Sequence, residues 1–351
     1  MMRQFLVFAL GIMVLVSCKN AKEQSSDQNP SAAINDTLTF VFASCNDQER
    51  EQPLWDPIIS HKPALFVWGG DNIYSDTRDS SKMRADYEKQ FKQPGYAKLR
   101  QQTKVIGTWD DHDYGENDAG AQYPMKIKAS ELFWDFLELP KTDSLRDQPG
   151  VFHTYVHQTE QGSVKFIMLD TRYYRDPLLK SDDPDKRYTP WPADHDGWFL
   201  GPLQWVWLEN QLQDTAHDFT FIVSSVQFLN NADHGWEKWG NFPAEHQKMY
   251  EVLQGAKSKN IILLSGDRHH AEMSKDDNAG LGYPLLDFTS SGLTHTFPGS
   301  PLEPNEYRWG EGTKAINFGV IKVHQASKTV VFEIRGRDNV LIESFTQQYS
   351  E

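Results

Sequence analysis

Apolar residues gather into six short runs: LTFVFASC (38–45), ALFVWGGD (64–71), KVIGTWDD (104–111), VKFIMLDTR (164–172), FTFIVSSVQ (219–227) and NIILLSGDRHH (260–270). Each has the length of a strand, and near-continuous apolar character suits strands covered on both faces. Helix-like spacing occupies segments between several of them: SSKMRADYEKQF, KIKASELFWDFLEL, PLQWVWLENQLQ, with Pro202 well placed in a first turn, and PAEHQKMYEVLQGAKS. This alternation predicts an α/β fold, with a largely parallel or mixed sheet and helices outside. After Gly282 the pattern changes to PLLDFTSS, NFGVIKVH, TVVFEIRG and VLIESF, joined by QASK and RDN. These predict antiparallel C-terminal strands. No linker-like segment interrupts the chain after Leu38, so a central pair of sheets, the second finished by the C-terminal hairpins, is expected rather than two independent domains.

The N-terminus, MMRQFLVFALGIMVLVSCKN, has one Arg, an apolar stretch too short to span a bilayer comfortably, and small residues before Cys18. It predicts a signal peptide over residues 1–17. Leu15-Val16-Ser17-Cys18 resembles the bacterial lipobox, which implies cleavage before Cys18, a lipid on its sulfur, and an exported, membrane-anchored product in the periplasm, outer membrane or cell surface. Residues 18–37 are polar and predict a flexible tether, leaving 38–351 as the folded domain. With Cys18 lipidated, Cys45 is the lone remaining cysteine. An unpaired thiol in an exported protein is expected to be either buried or ligated.

Lys plus Arg number 35 against 49 Asp plus Glu, a net charge of −14, which disfavours long nucleic acids as the main partner. The acidity is concentrated where chemistry is expected. VIGTWDDHDYGEND, residues 105 to 118, releases five carboxylates and a histidine directly after an apolar run. Such crowding repels itself unless cations or protons hold it together. The other runs end similarly: in Cys45, in Asp71 with Tyr74, in Asp170 and Arg172, in Gln227, and in Asp267, His269 and His270. Catalytic crevices of open α/β sheets form at the carboxyl ends of strands, so these residues are expected to converge. Oxygen donors with an imidazole, a thiolate and a phenolate suit one ion such as Fe, Zn or Mn, with Ca or Mg nearby.

Taken in order, FASCND, GGDNIYSD, TWDDHDYGEND, LDTRYYR, SSVQFL and SGDRHH resemble the PhoD-like alkaline phosphatase/phosphodiesterase family of the calcineurin-like metallophosphoesterases. The resemblance implies a metallophosphoesterase-like four-layer sandwich, two central mixed β-sheets flanked by α-helices. It also implies that the aspartate bridging two metals falls on Asp71, that the tyrosine ligating ferric iron falls on Tyr74, and that Cys45, Asp111, Asp267 and His269 are further ligands. His112 falls on the catalytic imidazole, and Gln227 stands where many members have a metal-binding His. Ferric iron and Ca are the implied cofactors, with Zn, Mn or Mg as alternatives. Since the tether leads almost directly into FVFASC, the extra N-terminal domain of some members is expected to be missing.

Arg172, Arg175 and Arg268 are candidate phosphate clamps, because a guanidinium matches a phosphoryl group in bidentate fashion. Asp170 and Arg172 are alternatively a structural ion pair, and His270 a structural histidine. HGWEKWGNFPAEH (234–246) is a candidate cleft roof in which Trp236 and Trp239 stack on an organic leaving group. The expected activity is exported, metal-dependent hydrolysis of small phosphate mono- or diesters by a monomer, serving phosphate scavenging. A competing reading is a non-catalytic, Ca-binding surface lipoprotein that holds glycans or organic ligands through its 11 Trp.

Overall fold

Strand β1 (Thr37–Ala43) sorts its side chains by parity, as a pleated strand must. Phe40 and Phe42 enter one buried core, while Val41 and Ala43 enter another on the opposite face. β2 (Leu65–Gly69) repeats the division, with Leu65 and Val67 against Phe66 and Trp68. This structure is a computed structural model that describes residues 37–232 and 234–349. The expected signal peptide, the lipidation site Cys18 and all of the expected tether except Thr37 lie outside the described residues.

The remaining strands are β3 (Lys104–Thr108), β4 (His153–Thr159), β5 (Gly162–Met168), β6 (Phe219–Ser224), β7 (Ile261–Ser265), β8 (Ala271–Asp276), β9 (Leu285–Ser290), β10 (Arg308–Thr313), β11 (Phe318–His324), β12 (Thr329–Arg335) and β13 (Leu341–Gln348). One sheet runs β13-β12-β11-β1-β2-β3 and the other β10-β8-β9-β7-β6-β5-β4. Both are mixed. β1, β2 and β3 are parallel, as are β5, β6, β7 and β9, and the flanking pairs are antiparallel.

The helices are α1 (Trp55–Ser60), α2 (Ser80–Lys92), α3 (Pro94–Arg100), α4 (Asp111–Tyr114), α5 (Lys126–Phe136), α6 (Gly201–Leu212) and α7 (Pro243–Gln254). Trp55, Tyr87, Tyr96 and Phe133 of α1, α2, α3 and α5 cover the outer face of the first sheet. Trp205 and Leu208 of α6 and Met249 and Leu253 of α7 cover that of the second, against Ile222 and Leu263. The inner faces meet directly. Phe40 packs edge-on against Phe166 at 5.1 Å and Phe221 at 5.0 Å, a geometry that aromatic quadrupoles favour. Four layers result, as expected.

All six N-terminal runs are strands, and the four helix-like segments correspond to α2, α5, α6 and α7. Two expectations are corrected. The C-terminal hairpins finish the first sheet, because β11 pairs antiparallel with β1 along six residue pairs. PLLDFTSS does not join them: as β9 it lies parallel to β7 in the second sheet. β4, β8 and β10 carry no comparable apolar run. β8 reads AEMSKD, and β10 reads RWGEGT on an edge where every one of its residues is exposed or partly so. No helix among the described residues is long and apolar enough to cross a membrane.

Candidate metal centre and active site

The strands bring their chemistry to one end. Cys45, Asp71, Asp110, Asp170 and Asp267 each sit two residues beyond the last residue of β1, β2, β3, β5 and β7 respectively. Several of these positions are held in backbone conformations that non-glycine residues avoid. Cys45 (φ 60°), Asp71 (φ 52°), Asp267 (φ 65°) and His269 (φ 53°) are all in the left-handed region. Such geometry costs about 1 kcal/mol or more per residue and persists where the surroundings demand it, which is common at functional sites. Glycine lets the strand ends approach. A Cβ on Gly266 would lie 2.6 Å from the Gly69 carbonyl oxygen, and one on Gly70 would lie 2.6 Å from Asp110 Cβ.

Three sets of donor atoms, each within 4.8 Å of one another, form there among the described residues: Cys45, Asp71 and His269; Asp71, Asp111 and His112; and Asp110, Asp111 and Asp267. Asp71 and Asp111 are each shared between two sets, as adjacent cation sites with common ligands would require. The Cys45 thiol donates to Asp71 Oδ2 at 3.4 Å, and the Tyr74 hydroxyl donates to the same oxygen at 3.1 Å and lies 3.4 Å from His269 Nε2.

The electrostatics support cation binding. Burial, above all, pushes the Cys45 thiol and the Tyr74 phenol well up, and Asp71 beside both adds to it. Burial also holds the Asp71 carboxyl well above the usual range; His112 opposes this, and Asp111, Asp113 and Asp267 reinforce it. Asp267 is raised to about 7 by burial, partly offset by Arg268. Asp111 goes the other way: burial opposes its charge, but His112 and Arg172 outweigh it and hold the group below the usual range. A cation would displace the protons that Cys45, Asp71 and Asp267 otherwise keep. Asp110 Oδ2, Asp111 Oδ1 and His269 Nδ1 are buried without a hydrogen-bond partner among the described residues. The residues therefore fit metal ions: the sulfur, imidazole and phenol side suits a transition metal, and the three-carboxylate side a hard cation.

His112 stacks on Tyr74 with ring centroids 4.1 Å apart, and its Nδ1 lies 2.7 Å from Asp76 Oδ2. Burial works against its positive charge, yet Asp111 and Asp71, with Asp76, raise its pKa to about 11. The site opens into a cavity of about 800 Å³, whose lining includes Tyr74, Asp111, His112, Asp267, Arg268 and His269.

Residues 40–343 match the PhoD-like phosphatase family. The chain belongs to that family. It is 23% identical to alkaline phosphatase D of Bacillus subtilis (strain 168) over 270 residues, covering 66% of this chain and 46% of that one. The chain thus spans less than half the length of this curated relative. A solved structure of PhoD superposes with a TM-score of 0.72 at 17% identity, over 89% of this chain and 70% of the other. A dimetal phosphatase from Danio rerio superposes with a TM-score of 0.54 at 15% identity, over 89% and 99%. At those identities the likeness is one of fold.

In this PhoD-like chain the five carboxylates of residues 105 to 118 have separate duties. Asp110 and Asp111 join the donor sets. Asp113 accepts hydrogen bonds from the Asp110 and Asn72 amides at 2.6 and 3.2 Å, closing the turn into α4. The Asp118 carboxylate accepts from the Tyr188 hydroxyl at 2.6 Å and pairs with Arg187, while its amide donates to Asp111 Oδ2 at 2.6 Å, and exposed Glu116 pairs with Arg78.

The arginines divide too. Arg172 has no exposed side-chain surface and is not part of the cavity lining. Its Nε donates to Asp110 Oδ1 at 2.5 Å and its Nη1 to Glu237 Oε1 at 3.0 Å. Its expected partner Asp170 instead accepts the amides of Arg172, Tyr173 and Val151. Arg175 is likewise buried, donating to the Asp118 and Ala119 carbonyls. Arg268 does line the cavity, bound to Asp267 at 3.1 Å and to Glu303.

Gln227 donates to Glu272 at 2.7 Å and to Thr289 at 3.0 Å, outside the donor sets. Fully buried His270 faces Glu272 at 3.5 Å, consistent with a structural histidine. Trp239 is buried in the second sheet's outer core, whereas Trp236 lines the cavity.

Sequence reasoning missed Asp76, Glu237, His295 and Phe297. Asp76 was available in GGDNIYSD as a second acid after a strand, and Glu237 as a charge between two tryptophans. His295 and Phe297 follow β9 in a loop with no pattern to mark them.

Proposed function

We propose that this chain is an exported, lipid-anchored phosphoesterase that hydrolyses phosphate mono- or diesters, with ferric iron and Ca as its metals and phosphate scavenging as its role. The observation that carries the reading is the sharing of Asp71 and Asp111 between donor sets beside His112 and an open cavity. Cys45, Asp71, Tyr74 and His269 would hold the transition metal, and Asp111 and Asp267, with Asp110 and the neighbouring Asp71, the harder ion. Bound there, such ions supply positive charge that polarises a phosphate ester and eases deprotonation of water.

The protein's own groups do the rest. With Nδ1 held by Asp76, His112 keeps Nε2 for the ester oxygen and gives its proton to the departing alkoxide. Tyr74 stacks against the ring and limits its rotation. Arg268 is the proposed phosphate-binding arginine, whereas Arg172 is proposed to position Asp110 and Asp111 rather than touch substrate. Export and anchoring rest on the Leu15-to-Cys18 motif and call for mass spectrometry of the mature N-terminus.

Hydrolysis of p-nitrophenyl phosphate and bis-p-nitrophenyl phosphate, beside p-nitrophenyl acetate, tests the activity, with metal analysis of the same preparation. Turnover of the acetate alone, or full turnover after verified metal removal, would overturn it. The glycan-binding alternative accounts for exposed aromatic residues but gives no reason for the shared carboxylates.

A further inference from the structure

A phosphate group does not fill this cavity. Its volume of about 800 Å³ lies in the range that encloses a drug-sized molecule, about 300–1,000 Å³. Large apolar rings are left uncovered in its lining. Phe297 is 57% exposed and Trp236 is 46% exposed; of the large hydrophobic side chains exposed to that degree among the described residues, Trp198 is the only other aromatic. Both rings abut the segment after β7 that supplies donors. Phe297 lies 4.7 Å from His269 between ring centroids, and the Arg268 guanidinium lies 5.9 Å from the Trp236 ring.

Behind Phe297 the rings continue inward. His269 lies 4.6 Å from His295, His295 lies 5.0 Å from Tyr74, and Tyr74 stacks on His112. An aromatic path therefore leads from the donor sets to the exposed Phe297, so a substrate with its phosphorus at the donors has its alcohol part against rings.

Resting on the phosphoesterase reading, we propose that Trp236 and Phe297 are specificity-determining residues that select phosphate esters whose alcohol carries a planar ring, aryl or heterocyclic. Exposed aromatic faces stack on such rings at little conformational cost, and stacking of a base on a side-chain ring is sequence-tolerant for the same reason. A small aliphatic alcohol gains none of this.

The test compares esters whose leaving alcohols match and whose distal groups differ: propyl phosphate against 3-phenylpropyl phosphate, and ribose 5-phosphate against adenosine 5′-phosphate. In each pair the ring is insulated from the scissile bond, so chemistry is matched and only binding of the ring differs. The wild-type protein is expected to favour the ring-bearing member by on the order of 10-fold in kcat/KM. Trp236→Ala and Phe297→Ala are expected to lower kcat/KM for that member about 3- to 10-fold more than for its partner. Trp236→Leu and Phe297→Leu keep apolar area without a ring and are expected to lose the preference as well.

A preference for the phenyl member only assigns the subsite to aryl alcohols, and one for the adenosine member only to heterocycles. Equal rates within both pairs would overturn the specificity while leaving the phosphoesterase reading intact. Retention of the preference in the Leu variants would show apolar contact rather than ring stacking, and would overturn it too. Failure to hydrolyse any of the four monoesters, metals present, would overturn the specificity, and failure on p-nitrophenyl phosphate and bis-p-nitrophenyl phosphate as well would overturn the phosphoesterase reading too.

Discussion

The imidazole of His112 and the carboxylate of Asp76, 36 residues apart in sequence, meet at 2.7 Å through Nδ1 and Oδ2. Asp76 itself is in the left-handed region, at φ 43°. A backbone placed there at a cost aims a carboxylate at one ring nitrogen and so decides which nitrogen faces the cavity. Asn tolerates the same backbone, which makes Asp76→Asn a test of charge alone. On the proposed mechanism, kcat is expected to fall about 10- to 100-fold with metal content unchanged. The loss should be larger on alkyl phosphates than on p-nitrophenyl esters, since p-nitrophenolate leaves without a proton. Equal losses on both would assign Asp76 to holding the fold of the loop.

Arg172 offers a prediction of a different kind. Its guanidinium lies between Asp110 and Glu237, and all three side chains are buried. Arg172→Met should leave the Asp110 carboxylate buried without its guanidinium and Glu237 with Arg175 alone, destabilising the protein by roughly 3–5 kcal/mol in chemical denaturation. A residue that merely gripped phosphate would instead raise KM with stability unchanged.

Metal removal should lower the thermal midpoint, because Asp71, Asp110, Asp111 and Asp267 are then buried beside one another with Arg172, Arg175, Arg268 and His112, but no bound cation, to balance them. In the stripped protein Asp71→Asn is expected to raise the midpoint, by removing a buried acid. With metals present the same variant should fall below wild type, having lost a shared ligand. Scanning calorimetry with and without chelator reads both signs. Cys45→Ala and Tyr74→Phe are expected to reduce tightly bound transition metal or its visible absorption.

Stability should also decline on mild acidification for a reason remote from the metals. Burial lowers the pKa of His246 from 6.5 to about 4, although its hydrogen bond to the Phe228 carbonyl opposes the shift. His153 is lowered to about 4 in the same way, by burial against a bond to the Val151 carbonyl. The folded-state values lie below the unfolded ones, so the unfolded chain takes up the proton first. The contribution is complete above pH 6.5 and is lost as pH falls towards 4. His246→Gln should narrow the difference in stability between pH 7 and pH 5 by on the order of 1–2 kcal/mol, as measured by urea unfolding at each pH.

By itself the sequence determined the parts whose cause is local. A strand that packs into a core must carry apolar residues, so the six N-terminal runs and the four C-terminal ones stood out, ten of the thirteen described strands, and the donors followed because Cys45, Asp71, Asp111 and Asp267 lie within a few residues of the ends of N-terminal runs. Only the tertiary structure decided what depends on partners far along the chain. β11 reaches back to β1, which puts the C-terminal hairpins in the first sheet. Arg172 is turned inward by Asp110 and Glu237, 62 and 65 residues away. Phe297 gains its place beside the donors only because the loop after β9 folds over His269. An arginine's sequence neighbours do not say whether it meets a buried carboxylate or a phosphate; the same guanidinium suits both, and the packing around it makes the choice.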